Sequence, residues 1–507
     1  MEETLKNIFR LNDFRKGQKE IISDILAQKD VLAVLPTGGG KSLCYQFPAV
    51  YLKQLVIVIS PLIALMKDQV YALQKLGIPS GCLHSGQTEE EKRAVFAQYR
   101  KSDTFVMYLS PERAQKEGFH KWIQDKKIAL FAIDEAHCVS QWGHDFREEY
   151  SQLSILKKIR PDVPILALTA SATPLVLEDI AKNLKLVDPE KRIHGFYRPN
   201  LYYQVETCAG EDEKRALLRE ALRKTPEGRI IIYSGTRRLT ERLADVLQPE
   251  FKKIGFYHAG MSPEERTKTQ ELYQKSKLRI LVATNAFGMG VDQADVRLVV
   301  HYQMPANIDS LYQEMGRAGR DGKDSTCLML YAAKDKGLQS YFIINSNAPS
   351  SIKRSRRATL DAIVNYAEGG ECRHAEILTY YKDSQRIERC GHCDTCDPES
   401  PRRIVMPVKE ETAPLVSKPK KKTGSSATVL HLDHDQEERF KTLKKWRKEK
   451  AQELDLPAFV IFSDQTLRHL AVNNPKDLEQ LRETHGVGDA KLEKFGKDLL
   501  AILWAQC

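Results

Sequence analysis

A glycine-rich loop occupies residues 35–42, which read Leu-Pro-Thr-Gly-Gly-Gly-Lys-Ser. Glycine tolerates positive φ and leaves room for backbone N–H groups to surround an oxyanion. Lys41 would reach the β- and γ-phosphates of a nucleotide, the Ser42 hydroxyl would bind Mg²⁺, and a helix starting near Lys41 would add its positive end. Leu35 replaces the first glycine of the strict pattern, so a glycine-rich turn with a chance Lys-Ser is the alternative. The residues predicted to hold the phosphates are Thr37, Gly38, Gly39, Gly40, Lys41 and Ser42.

An acidic pair, Asp134-Glu135, follows the continuously apolar run 128–133. Such a run is typical of a strand buried on both faces of a parallel sheet, and the carboxyl ends of these strands bind ligands. Asp134 would hold Mg²⁺ through water, and Glu135 would activate the attacking water. An acidic strand end without a role is possible, but it would not explain the spacing. The loop and the pair together predict hydrolysis of a nucleoside triphosphate.

Short apolar strands separated by helical stretches must position these residues. Alternation of this kind predicts βαβ units and parallel sheets, here in two lobes joined near residues 196–200. A helix is predicted over Ile21–Ala27. The predicted strands are Val31–Leu35, Leu55–Ser60, Phe105–Ser110, Ile128–Ile133 and Ile165–Ala170 in the first lobe, and Arg229–Ser234, Phe256–His258, Ile280–Thr284 and Leu298–Tyr302 in the second.

Length and composition indicate the number of domains, the kind of partner and the cellular location. A chain of 507 residues needs three or four domains. The net charge of +10 mildly favours a polyanionic partner. The sequence has no apolar run of about 18 residues and no signal-peptide core at its acidic start, so we expect no membrane association and a cytoplasmic protein. In that compartment the ten cysteines are not expected to form disulfides.

The order of several long motifs resembles the RecQ family of superfamily 2 DNA helicases, over roughly residues 5 to 400. This resemblance implies two RecA-like lobes, ATP as the nucleotide, and 3′-to-5′ movement on single-stranded DNA. The motifs that carry it are Phe14–Gln18, Leu35–Ser42, Ser60–Gln69, Tyr108–Arg113, Asp134–His137, Thr169–Thr173, Ala283–Asp292 and Gln313–Gly322.

The resemblance also implies roles for residues outside the phosphate loop. Gln18 would read the adenine edge and Arg15 would pack on the base, whereas Leu11 replaces an aromatic residue common in the family. Arg320 would act as an arginine finger across the cleft, with Arg317 as a second phosphate contact. Thr169–Thr173 would relay the nucleotide state to the DNA side. In the segment 140–147, Trp142 and Phe146 would stack on bases and Arg147 would bind a phosphate, although loop packing alone would also explain such aromatics.

Four cysteines follow the spacing C-x17-C-x2-C-x2-C, which suits a tetrahedral Zn²⁺ site. The ligands would be Cys372, Cys390, Cys393 and Cys396. His374 and His392 are nearby alternatives that we expect not to ligate, and a redox pair is the competing interpretation. In the RecQ family a module of this kind supports a basic helical platform, for which Lys353–Arg357 is a candidate. A solvated charged face would explain that run equally well.

The last part of the chain departs from the family pattern. Residues 401–432 have the composition of a flexible basic tether. They leave no room for the winged-helix domain of about a hundred residues that many RecQ proteins carry there. Residues 433–507 are predicted to be helical and resemble an HRDC domain, with apolar stripes around Phe440 and Phe495. Thirteen Lys/Arg against fourteen Asp/Glu make this part nearly neutral, so it could bind single strands weakly, bind a protein or touch the motor.

These observations predict an α/β fold with lobes at 1–200 and 201–335, a zinc module at 336–400, a linker at 401–432 and an HRDC-like bundle at 433–507. The expected function is an ATP-dependent 3′-to-5′ DNA helicase in repair or recombination, using ATP, Mg²⁺ and Zn²⁺. Its expected substrates are single-stranded and partly duplex DNA, and candidate partners are a single-strand-binding protein or repair proteins. A monomer is expected. An RNA helicase and an ATP-switched nucleic-acid clamp with little unwinding are the alternatives.

Overall fold

The structure is a computed structural model that describes residues 1–36, 38–142, 146–287, 293–407, 432–454, 456 and 458–504. Two parallel sheets form its centre, as predicted. Both have nearly continuous apolar strands, because helices cover their two faces. Among the described residues, no helix combines the length and the apolar character needed to cross a membrane.

The first lobe contains a seven-stranded parallel sheet in the order β3-β4-β2-β5-β6-β1-β7. Its strands are β1 (Val31–Val34), β2 (Leu55–Ile59), β3 (Ser80–Leu83), β4 (Phe105–Leu109), β5 (Ile128–Ile133), β6 (Ile165–Thr169) and β7 (Glu190–Ile193). Its helices are α1 (Glu2–Asn7), α2 (Gln18–Leu26), α3 (Lys41–Leu52), α4 (Ile63–Lys75), α5 (Glu89–Tyr99), α6 (Pro111–Ala114), α7 (Glu117–Ile123), α8 (Glu148–Ser151), α9 (Ser154–Ile159) and α10 (Pro174–Leu184), with a 3₁₀ helix at Ala136–Val139.

The second lobe contains a six-stranded parallel sheet in the order β10-β11-β9-β12-β13-β8. Its strands are β8 (Leu201–Thr207), β9 (Arg229–Tyr233), β10 (Ile254–Tyr257), β11 (Ile280–Ala283), β12 (Val296–His301) and β13 (Ser325–Tyr331). Its helices are α11 (Glu211–Lys224), α12 (Arg237–Leu247), α13 (Pro263–Gln274) and α14 (Ile308–Met315).

Two helical parts follow the lobes. The zinc module contains α15 (Ala333–Ile344), α16 (Ser350–Glu368) and α17 (Arg373–Tyr380). The C-terminal bundle contains α18 (His434–Glu453), α19 (Ala458–Ile461), α20 (Asp464–Asn473), α21 (Leu478–Glu483) and α22 (Asp489–Trp504). Both predicted apolar stripes lie in the core of this bundle, which includes Phe440, Leu443, Phe495 and Leu499.

The outer edge of the second sheet is covered by the segment that carries the cysteines. Strand β8 is the edge strand, and Tyr203 forms an isolated parallel bridge with Cys393. The N–H of Val205 donates to the carboxylate of Asp394 at 2.9 Å, and the side chain of Gln204 exchanges two hydrogen bonds with the backbone of Ile404. The N–H of Asp394 also donates to the carbonyl of Tyr203 at 3.0 Å, so the backbone in the middle of this edge strand is paired within the chain.

Candidate active site and nucleic-acid interface

The phosphate loop turns tightly between β1 and α3, and α3 begins at Lys41 as predicted. Gly38 and Gly40 have φ values of +81° and +76°, a conformation that favours glycine. A Cβ at Gly40 would lie only 2.4 Å from Nε2 of Gln18, so a larger residue would collide there. Thr37, predicted to bind phosphate, lies outside the described residues.

Arg15 and Gln18 both lie against this loop. Gln18 donates from Nε2 to the carbonyl of Gly40 at 2.8 Å and accepts the N–H of Arg15 at 2.7 Å. The guanidinium of Arg15 donates to the carbonyl of Gly38. Both side chains therefore stand beside the loop, where a base could lie, while Leu11 is exposed to solvent.

The acidic pair faces the loop because β6 alone separates β5 from β1 in the sheet. Asp134 is buried, and burial together with the charge of Glu135 raises its pKa to about 6, while Lys41 opposes this shift. Glu135 has a positive φ of 49°, which is uncommon for a residue with a side chain and is often found at functional sites. Its Oε1 lies 3.7 Å from Nζ of Lys41.

A continuous series of contacts leads from Glu135 to the second lobe. Oε2 of Glu135 lies 3.3 Å from Nδ1 of His137, and this nitrogen lies 2.9 Å from the hydroxyl of Thr169. The hydroxyl of Thr169 donates to the carbonyl of Ser171 at 3.0 Å. Gln313, on α14 of the second lobe, donates to the hydroxyl of Ser171 at 3.2 Å. The carboxylate that faces Lys41 is thus physically linked to the neighbouring lobe.

Arg320 lies directly across the cleft from the phosphate loop. A Cβ on Gly38 would be 3.4 Å from Cγ of Arg320, and both residues line a cleft of about 220 Å³ together with Arg15 and Gly319. Arg317 is buried in the second lobe near Tyr233, where its positive charge opposes the rise that burial causes in the pKa of that phenol. The structure therefore brings Arg320, rather than Arg317, to the loop.

Arg198 and Asn200 hold the loop that carries Arg320, a role that sequence reasoning missed. Arg198 donates to the carbonyls of Ala318 and Gly319 at 2.9 and 3.0 Å, and Asn200 donates to Gly319 at 2.9 Å. Both lie in the joint at 196–200, which the sequence indicated only as a connection between lobes. The sequence signal that could have indicated this role is the presence of two polar side chains in the segment that joins the lobes.

The aromatic segment after the acidic pair is exposed at its two described rings. Trp142 is 40% and Phe146 38% exposed, which suits stacking on bases better than packing in a core. Arg147 donates to the carbonyl of Pro61 at 3.4 Å, so it lies beside the Ser60–Gln69 motif. Residues 143–145 of this segment lie outside the described residues.

The four cysteines come together at the start of α17. Their sulfur atoms all lie within 4.8 Å of one another, a grouping that fits Zn²⁺. Cys372 and Cys393 are buried and Cys390 and Cys396 are half-buried, as is usual for the ligands of a structural metal site. His374 and His392 contact the carbonyl of Leu201 at 3.1 and 3.2 Å, and their ring nitrogens also lie within 4.8 Å of the sulfur of Cys390. That they do not ligate the metal stays a prediction.

Comparison with known proteins agrees with this geometry. The chain matches the family models for the DEAD/DEAH box helicase at residues 15–180, the helicase conserved C-terminal domain at 213–322, RecQ zinc-binding at 333–397 and the HRDC domain at 436–503. The ATP-dependent DNA helicase RecQ of Haemophilus influenzae is 32% identical over 601 residues, covering 98% of this chain and 95% of that protein. This chain belongs to the RecQ family of ATP-dependent DNA helicases.

Two further similarities are informative. A putative ATP-dependent RNA helicase of Acanthamoeba polyphaga mimivirus is 41% identical over 399 residues, covering 78% of this chain and 72% of that protein. The structure of Saccharomyces cerevisiae Dbp5 bound to RNA and ADP BeF3 aligns with a TM-score of 0.52 at 18% identity, covering 71% of this chain and 97% of that one. At this identity the second similarity shows only a shared fold.

The cofactors of this RecQ protein follow from the family and the site. RecQ helicases use ATP with Mg²⁺, and the donor set of Lys41, Ser42 and Asp134 fits a magnesium-bound triphosphate. The four cysteines fit Zn²⁺ without help from the histidines. The predicted ATP, Mg²⁺ and Zn²⁺ are thus confirmed as cofactors.

Replacing Cys393 by alanine is expected to lower the zinc content from about one ion per chain to near zero and to lower the melting temperature. Cys393 is fully buried and bridges to β8, so loss of the metal also weakens the cover of that strand. Metal analysis and thermal unfolding would measure both effects. Cys82→Ala, a buried thiol on β3 outside the cluster, is the matched control. A Cys393→Ala protein that keeps its zinc would contradict the ligand assignment.

The basic run Lys353–Arg357 lies on the first half of α16, as the platform hypothesis requires. Arg354, Arg356 and Arg357 are exposed, and Lys353 donates to the carbonyl of Ile344 at 2.8 Å. The exposed side chains of Tyr341, Phe342 and Ile344 lie on the preceding helix. Cations next to exposed aromatic rings suit a nucleic-acid surface, although a solvated face would show the same exposure.

Proposed function

We propose that this RecQ protein moves 3′ to 5′ along single-stranded DNA and separates duplexes in repair or recombination. The observation that carries the proposal is the position of Arg320 against Gly38, because it makes hydrolysis depend on the arrangement of the two lobes. In this proposal the lobes, zinc module, linker and HRDC domain have the boundaries predicted from the sequence. The cytoplasm is its proposed location, or the nucleoid if it is bacterial.

Each residue of the site would have a separate role in hydrolysis. Lys41 offsets charge on the transferred phosphoryl group, and Asp134 and Ser42 would hold the magnesium ion. Glu135, whose carboxylate faces Lys41, would take the proton from an attacking water. Arg320 stabilises the charge that develops in the transition state. The series from Glu135 to Gln313 would report the state of the nucleotide to the second lobe.

Movement would follow from opening and closing of the cleft. The lobes approach each other while Arg320 contacts the triphosphate, and they separate after product release. Trp142 and Phe146 would hold bases by stacking, which does not depend on sequence. The first lobe would therefore grip the strand in step with hydrolysis.

An unwinding assay with fluorescent duplexes tests this function. We expect strand separation from a 3′ overhang and none from a 5′ overhang of equal length, with ATP hydrolysis strongly stimulated by single-stranded DNA. Forked and four-way substrates would then rank structural preference. An RNA duplex serves as a comparison, because the mimiviral relative is described as a putative RNA helicase.

A nucleic-acid clamp with little unwinding is the second candidate. The alignment with the Haemophilus protein spans 601 positions, more than the 507 residues of this chain, so that protein carries segments that are missing here. A missing winged helix would weaken duplex opening. Stimulated hydrolysis without strand separation on any of these substrates would favour the clamp over the helicase.

Replacing Trp142 by alanine is expected to reduce the stimulation of hydrolysis by DNA while basal turnover persists. Loss of one stacked base costs about 1–3 kcal/mol of binding free energy. Steady-state ATP hydrolysis as a function of DNA concentration would measure this effect. Trp504→Ala, an exposed tryptophan at the end of α22, is the control. Unchanged stimulation in Trp142→Ala would remove this residue from the DNA site.

A further inference from the structure

The HRDC domain packs against an acidic end of the zinc module. Three glutamates of the module, Glu368, Glu371 and Glu376, each contact the domain. Glu368 accepts the hydroxyl of Ser463 at 3.3 Å and also accepts the hydroxyl of Tyr331, from the second lobe, at 2.7 Å. The domain therefore contacts the part of the chain that surrounds the first zinc ligand.

Arg447 is the central charge of this contact and is only 1% exposed. Within the HRDC domain it pairs with Asp464 at 2.7 Å and donates to the carbonyl of Phe462 at 2.8 Å. Across the interface it pairs with Glu371 at 2.8 Å. Lys444 also pairs with Asp464 at 3.3 Å and lies 3.9 Å from Glu371. Separating the interface would still be costly, because the buried guanidinium would lose its cross-interface carboxylate.

The backbone of the module approaches the HRDC domain too closely for a side chain. A Cβ on Gly370 would lie 2.4 Å from Oδ2 of Asp464. Glycine at this position therefore lets Glu371 reach Arg447. The neighbouring Gly369 lies against Phe459, where an added Cβ would be 3.9 Å from that residue's Cβ.

Phe459 anchors the contact on its apolar side. It is 2% exposed and belongs to the large core that includes the zinc module, whereas the HRDC domain has a core of its own. Its ring lies 5.6 Å from Tyr366 and 6.2 Å from Tyr380. Its N–H donates to Glu376 at 3.1 Å, and burial raises the pKa of Glu376 to about 7.

These contacts act on the segment that carries Cys372. Glu371 precedes this cysteine directly, and Glu376 lies in the first turn of α17, which Cys372 caps. Arg373 pairs with Asp394 at 3.0 Å, and Asp394 binds strand β8. Contacts with the HRDC domain therefore hold the residues on both sides of Cys372.

We propose that the HRDC domain is a fixed structural part of this motor and that its contact through Arg447 and Phe459 slows the loss of zinc. The metal leaves when the Cys372 segment opens locally, and the docked domain adds its own contacts to the free energy of that opening. The proposal concerns zinc retention and does not depend on the direction or strength of unwinding.

Zinc transfer from the full-length protein to an excess of a coloured chelator tests this proposal. Arg447→Met keeps much of the side-chain volume but removes the buried cation that joins Asp464 to Glu371, and it leaves both carboxylates with the more distant Lys444 alone. We therefore expect zinc release at least about tenfold faster. Lys448→Met is the matched control, because Lys448 is the next residue on α18 and is exposed. It should release zinc at the wild-type rate. Equal rates in Arg447→Met and Lys448→Met would overturn the proposal.

A second variant distinguishes loss of the interdomain contact from misfolding of the HRDC domain. Gly370→Ala keeps every charge and leaves the domain itself unchanged, but it crowds Asp464 across the interface. We expect faster zinc release here too, with faster hydrogen exchange in α17. Wild-type release in Gly370→Ala despite faster exchange would overturn the proposal. A wild-type release rate that falls with protein concentration would also overturn it, since a second copy would then supply the domain.

Discussion

Replacing Arg320 by alanine is expected to slow ATP hydrolysis about 10³- to 10⁵-fold while nucleotide still binds. The side chain lies across the cleft against Gly38, where a guanidinium can neutralise charge that develops on the transferred phosphoryl group. The interaction of Arg320 with bound ATP is weaker than its interaction with the transition state, so the affinity for ATP should change little. DNA-stimulated turnover and binding of a fluorescent nucleotide would separate the two effects.

Two further variants make this test specific. Arg320→Lys keeps the charge but loses the planar fork, so it should fall between wild type and Arg320→Ala. Arg242→Ala, an exposed arginine on α12 of the same lobe, should retain wild-type turnover. If Arg317→Ala rather than Arg320→Ala abolished turnover, the buried arginine would have to reach the cleft in another arrangement of the lobes.

Lys41→Ala is expected to reduce ATP turnover by at least about 10²–10³-fold without loss of DNA binding. Lys41 faces Glu135 at 3.7 Å and also opposes the raised pKa of Asp134. The substitution therefore removes a phosphate contact and drives the pKa of Asp134 higher still. Both changes act against hydrolysis in the same pocket.

Turnover in excess single-stranded DNA and fluorescence anisotropy with a labelled strand would measure these two properties. Lys101→Ala, an exposed lysine of the same lobe, is the control. Wild-type turnover in Lys41→Ala would remove the phosphate loop from the mechanism. Loss of DNA binding would mean instead that the substitution damages the lobe as a whole.

The local parts of the site were predictable because their functional residues lie close together in the sequence, at characteristic spacings. The glycines before Lys41, the Asp134-Glu135 pair and the four cysteines each carry their signal within a few residues or a fixed interval. The structure places the predicted loop, acidic pair and cysteines close to their expected partners. All nine predicted strands also occur, within one or two residues at their ends.

The missed strands have identifiable physical causes. Strand β3 contains a glycine, and β7 is largely polar because it forms an edge, so neither shows the pattern of a buried strand. Strands β8 and β13 are longer and pair with each other, and both were overlooked although their apolar residues could have indicated them. Prediction from motifs identified strands that are followed by functional residues, and it overlooked strands that are not.

Contacts between distant segments could not be predicted from residue spacing, and the approach of Arg320 to the phosphate loop was predicted only through the family resemblance. The series from Glu135 through Thr169 to Gln313 depends on how two lobes meet, and no spacing in the sequence encodes it. The pairing of Glu371 with Arg447 likewise needs two surfaces that fit. The sequence left open whether the HRDC domain would touch the motor, and the structure shows that it does.

The cover over strand β8 has a consequence for how this protein is made. The seven residues of β8 are synthesised well before Cys393, Asp394 and Ile404, which later pair with them. Until those residues emerge and the metal arrives, the strand is a free template on which two nascent chains can join. Zinc supply during synthesis should therefore govern the yield of unaggregated protein, in addition to the stability of the finished molecule.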